Sequence, residues 1–141
     1  MLKALVTFAT ILVIVAATSM FTVPVHARQG GGDLAGPKTT VTVENYSGHS
    51  VSAHCWSSED DIGEHNLGDG QKFSWTFKVN YFGTTKFVCT LKWNNIEKFV
   101  TIYLAKMDKS RCASQCLRDI RPDGLYFYHQ YEASWEKRYG W

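Results

Sequence analysis

At 141 residues the chain leaves room for one domain with a modest core and no second one. Its formal net charge is +2, and losing Lys3 with a leader would remove one more positive charge. That balance excludes counterion-driven attachment to nucleic acid or to an anionic membrane surface as a property of the whole molecule.

Residues 1–27 read as a signal peptide. Lys3 precedes the apolar run "ALVTFATILVIVAA", which is too short to span a bilayer, and Val25 and Ala27 bracket a small-residue cleavage site. The mature protein is therefore expected to be soluble, secreted and extracellular, with no stable membrane anchor. Residues 28–38, "RQGGGDLAGPK", carry four glycines and a proline without periodicity and read as a flexible lead-in. The domain proper is expected over 39–141.

From there the pattern has period two. "TTVTVENY" alternates around Val41 and Val43, and "SVSAHCW" puts Val51, Ala53 and Cys55 on one face. "QKFSWTFKV" aligns Phe73, Trp75, Phe77 and Val79, an aromatic stripe expected in the core. "TKFVCTLKW" groups Phe87, Cys89, Leu91 and Trp93; "EKFVTIYL" is rich in β-branched and aromatic residues; "DGLYFYHQY" follows an Asp-Gly turn. Short polar joins at 57–70, 80–84, 94–97 and 105–111 separate these runs, with Gly63 and Gly68 expected to supply unusual backbone angles in the first. Weak helical patterns occur only near 105–116 and in "EASWEKRYGW". The expectation is an all-β sandwich of about seven or eight antiparallel strands.

Cys55, Cys89, Cys112 and Cys116, an even count in an exported chain, read as two disulfides, which would staple the sandwich. Three pairings are open. On a strand, Cys112 and Cys116 would lie about 13 Å apart at about 3.3 Å per residue, too far to bridge, so each is expected to pair with Cys55 or Cys89. "NYS" at Asn45–Ser47 is a glycosylation sequon.

Signatures for catalysis or cofactors are missing: there is no G-x-S-x-G, H-E-x-x-H, phosphate loop or dinucleotide fingerprint. No catalytic residue, metal or cofactor is expected. The alternative is a secreted enzyme in which His49, His54, His65 or His129 meets a carboxylate in space. The acidic stretch "HCWSSEDDIGEHNLG" offers Glu59, Asp60, Asp61 and Glu64 as oxygen ligands for Ca²⁺, but no calcium-loop register fits: counted from Glu59, the twelfth position is Gly70. It reads instead as a polar turn, with those four carboxylates as candidate partner contacts.

Three segments together resemble the plant self-incompatibility S-proteins and S-protein homologues. They are "HCWSSEDDIGEHNL", "FSWTFKVNYFGTTKFVCTLKW" and "RCASQCLRDIRPDGLY", in that order, with Leu117 departing from an expected tryptophan. The resemblance implies a β-sandwich with two disulfides among the four cysteines and a non-enzymatic role. It also implies a secreted ligand for a protein partner, a cell-surface receptor being the type suggested by the founding pistil proteins that meet a partner on pollen.

Overall fold

The computed structural model describes residues 37–141; the leader and most of the lead-in lie outside the described residues. Nine strands form two sheets: β1 (Lys38–Asn45), β2 (Val51–Trp56), β3 (Asp61–Leu67), β4 (Lys72–Lys78), β5 (Lys86–Trp93), β6 (Ile96–Leu104), β7 (Gln115–Arg121), β8 (Gly124–His129) and β9 (Ser134–Gly140). One sheet runs β4-β1-β7-β8-β9 and the other β3-β2-β5-β6. Every pair is antiparallel except β1 with β7, which run parallel with Thr40 opposite Gln115.

The alternation read from the sequence sets the burial. Val41, Val43, Val51, Ala53, Cys55, Leu91 and Ile102 are among the residues sealed between the sheets. At about 25 cal/mol per Å² of apolar surface removed from water, this shared core is the main favourable term for the fold. The aromatic stripe of β4 is interior as expected. His65 stacks on Phe73, Phe73 on Trp75, and Trp75 and Phe77 each meet Phe87, with centroids 4.2 to 5.5 Å apart. The Tyr139 hydroxyl oxygen of β9 accepts the Thr101 N–H at 3.0 Å, tying β9 to β6.

Three elements differ from the sequence reading. The 57–70 join holds β3, whose Gly63 (φ 86°) makes a bulge opposite Cys55 and Trp56. Of the two glycines expected to be unusual there, Gly68 is not at positive φ; Gly70 is, at 82°. The helical reading of the C-terminus gives way to β9, paired along β8. The 105–116 region contains only a one-turn helix, α1 (Ala105–Asp108), before β7 begins.

The disulfide pairing also differs. Cys55 bonds Cys89, its direct opposite on β5, and Cys112 bonds Cys116. The expectation that Cys112 and Cys116 could not bridge assumed both on one strand. Cys112 instead lies in the turn after α1, its N–H donating to the Asp108 carbonyl, and the chain folds back so that the two Cα atoms are 5.2 Å apart.

Candidate functional site

The four candidate carboxylates separate into two pairs. Glu59 and Asp60 sit in the Ser57–Asp60 turn, which closes on itself: Ser57 N–H donates to the Asp60 carbonyl at 2.7 Å, and Ser57 Oγ accepts the Asp60 N–H at 3.0 Å. Both side chains are exposed on this fixed turn. Asp61 and Glu64 are instead tied to the sheet. Asp61 Oδ1 accepts from the Gly63 N–H at 2.9 Å and lies 2.7 Å from His54 Nε2, while Glu64 accepts the Ser52 hydroxyl at 2.6 Å. The His54 bond, then the Gly63 N–H, holds the Asp61 carboxyl below the ordinary 3.8.

Beside the acidic turn an open cleft of about 490 Å³ runs past Trp56 and Phe99 to the β4–β5 connection, with Lys86 on its wall. Phe99, well exposed on the outer face of β6, meets Trp56 at 5.9 Å between ring centroids. Ser57, Glu59 and Asp60 line it together with Asn80 and Thr84. This end of the sandwich presents loops on a disulfide-fixed frame, because Cys55 and Cys89 lie on the two strands that lead into it.

Asn45 is fully buried. Its Nδ2 donates to the carbonyls of His49 (2.7 Å) and Leu67 (3.0 Å), and its Oδ1 accepts from the N–H and hydroxyl of Ser47. A glycan takes one of the two Nδ2 hydrogens and would displace at least one of these donated bonds, so occupancy of the sequon would require the buried Asn45 side chain to leave this arrangement. Asn45 instead clamps the β1–β2 turn.

Sequence reasoning passed over Arg118, which points into the core from β7 with 1% exposure. Its Nη2 pairs with Asp108 at 3.2 Å, its Nε donates to the Ile102 carbonyl at 2.8 Å, and its guanidinium stacks 3.9 Å from the Phe127 centroid. Burial lowers its pKa to about 10, with the Asp108 charge pulling the other way. The charge is thus retained at neutral pH and serves to join α1, β6 and β7. An arginine two residues past Cys116, in alternating register with Cys116 and Ile120, is the signal the sequence did carry.

Among the described residues, no cluster of three or more potential metal ligands occurs. The His–carboxylate alternative finds the looser His129–Glu132 pair at 3.9 Å, whose glutamate is 71% exposed, and the close pair His54–Asp61 at 2.7 Å, whose side chains are 45% and 68% exposed. His54 borders only a shallow depression of about 200 Å³, and no described hydroxyl or thiol hydrogen bonds to its ring. Ser47 approaches His49 Nδ1 at 3.3 Å, yet its hydroxyl is buried and donates to Asn45. Neither arrangement sets a nucleophile, base and oxyanion donors around a common point.

A family model described as plant self-incompatibility protein S1 matches residues 40–141. The chain is 38% identical over 92 residues to self-incompatibility protein S1 of Papaver rhoeas, covering 64% of this chain and 66% of that protein, just under two thirds of its length. It is 35% identical over 106 residues to S-protein homolog 29 of Arabidopsis thaliana, covering 74% of this chain and 78% of that one. A solved structure described as an SPH protein, from a widespread family of small, highly stable, secreted plant proteins, superposes with a TM-score of 0.52 at 18% identity, covering 74% of this chain and 90% of that one. The matched region runs from β1 to the last residue and contains both disulfides, the acidic turn and the buried arginine, so the chain belongs to the plant self-incompatibility protein S1 family.

Proposed function

We propose that this secreted plant protein is an extracellular ligand that binds a protein partner, a cell-surface receptor in the leading case, without catalysing a reaction. Family membership supports secretion and a non-enzymatic role. Neither the family nor the fold assigns it to pollen rejection, which stays with the poppy relative's name. The observation that carries the reading is the Ser57–Asp60 turn: two exposed carboxylates held on a self-bonded turn at the lip of an open cleft. A turn already ordered before contact loses little entropy on binding, and its charge accelerates encounter with a basic patch.

Of the four candidate contacts we favour Glu59 and Asp60, because Asp61 and Glu64 each commit one carboxylate oxygen within the sheet. The test is binding of the secreted protein to intact candidate target cells, before and after protease shaving, with proximity labelling to identify the neighbour. Saturable, protease-sensitive binding is expected. Binding that survives shaving, or none on any tissue contacted by the secreting cells, would overturn the ligand reading.

A further inference from the structure

The connection from β4 to β5 carries two fully presented aromatic rings. Tyr81 is 97% exposed and Phe82 83%, and the rings meet each other edge to face with centroids 5.4 Å apart. Such rings are normally buried, and a fold that keeps two at a loop apex bears a solvation cost that contact with an apolar phase would relieve.

The apex is stiff. Asn80 Nδ2 donates to Thr84 Oγ1 and Asn80 Oδ1 accepts the Thr84 N–H, both at 2.8 Å. Asn80 N–H donates to Thr85 Oγ1 at 2.8 Å, and the Gly83 N–H closes onto the Asn80 carbonyl at 3.0 Å. Gly83, at φ 67°, turns the chain beside Lys109, whose Nζ would come within 3.3 Å of a Cβ built there. These bonds hold the loop backbone and the Asn80 and Thr84 side chains, and the two rings stand exposed between them.

Exposed lysines lie on the elements that adjoin this connection. Lys86 begins β5, Lys109 lies against Gly83, and Lys106 stands on α1, whose first N–H donates to the Thr85 carbonyl. The acidic Glu59 and Asp60 line the same cleft as Lys86, whereas Tyr81, Phe82, Lys106 and Lys109 are not part of its lining.

We propose that the Tyr81–Phe82 tip dips into an anionic phospholipid surface, with Lys86, Lys106 and Lys109 resting on the headgroups. Charge complementarity selects this occupant: tyrosine and phenylalanine suit the interfacial layer, and lysines on flexible stems follow a planar array of lipid phosphates. Two exposed rings on one short connection suit a deformable interface, where a protein partner would require a wide complementary surface. Attachment through two rings and three charges is reversible and salt-sensitive rather than an anchor.

The test is flotation of the full secreted protein with vesicles of phosphatidylcholine, with and without one fifth phosphatidylserine. The bound fraction should rise roughly tenfold with the anionic lipid and fall back with added salt. Tyr81→Ser/Phe82→Ser should lose most of the bound fraction at unchanged melting temperature, and Lys86→Glu/Lys109→Glu should abolish the preference for phosphatidylserine. Phe82→Trp should show blue-shifted emission on anionic vesicles only. No flotation, equal flotation of the serine double variant, or loss of that variant's binding only on cells whose surface proteins are intact would overturn the proposal; the last outcome would reassign the tip to a protein contact. Because the ligand reading rests on protease-sensitive binding and this one on lipid alone, either can fail without the other.

Discussion

At the scale of single residues, three polar side chains hold positions where their neighbours leave no substitute. Asn45→Ala would orphan the Leu67 carbonyl and the Ser47 N–H in the core and should cost roughly 2 to 4 kcal/mol by denaturant unfolding. The intact mass of the secreted protein should show no glycan. Asp108→Ala would leave Arg118 charged, buried and unpaired and should cost about 3 to 5 kcal/mol, whereas replacing both partners with apolar residues should restore much of the loss. Asp61 has a lowered folded value, so its favourable contribution is present above the ordinary 3.8 and lost as pH falls through the lowered value. Its carboxyl carbon should titrate by NMR below 3.8 in the native protein, and His54→Ala should move that midpoint up; an unmoved midpoint would dissociate the pair.

Among elements, legibility followed how openly each strand displays its inward side. β1, β2, β4, β5, β6 and β8 show apolar residues at alternate positions and were readable. β7 places Arg118 between Cys116 and Ile120 on the inward face, so a charge hides the period. β3 buries only Leu67 fully and β9 no residue, and both are sheet edges built from residues poor in strand preference; pairing, not propensity, makes them strands. The disulfides differ in weight for a related reason. Cys55–Cys89 closes a long loop and Cys112–Cys116 one of four residues' separation. Loop-closure entropy predicts losses of roughly 4 kcal/mol for Cys55→Ala/Cys89→Ala and roughly 2 kcal/mol for Cys112→Ala/Cys116→Ala, measured by chemical unfolding.

Across the whole molecule, both proposed contact surfaces fall on the 57–60 turn and the 80–84 connection, which line one cleft. The position of that acidic turn was legible from composition. That Asp61 and Glu64 belong to a strand was not, because the bulge at Gly63 redirects them. Glu59→Lys/Asp60→Lys should slow association with the partner severalfold, most strongly at low salt, at unchanged melting temperature. An unchanged association rate would remove the turn from the interface. The near-neutral total charge excluded membrane-surface contact for the molecule as a whole, but total charge does not report where individual lysines stand, such as Lys109 beside Gly83 in the loop that carries the two exposed rings.

The parallel pairing of β1 with β7 bears on biogenesis. β1 lies between β4 and β7, and its partner across the second ladder starts at Gln115. During synthesis β1 emerges early and gains β4 as soon as the hairpin region follows, but its other edge stays unsatisfied until nearly the whole polypeptide has been translocated. A half-built sheet with an open ladder invites pairing with neighbouring nascent chains, and closing a contact of such sequence separation is slow. Yield in the secretory lumen should therefore depend on chaperones that shield β1 until β7 arrives, and truncations before residue 121 should be retained and degraded rather than exported.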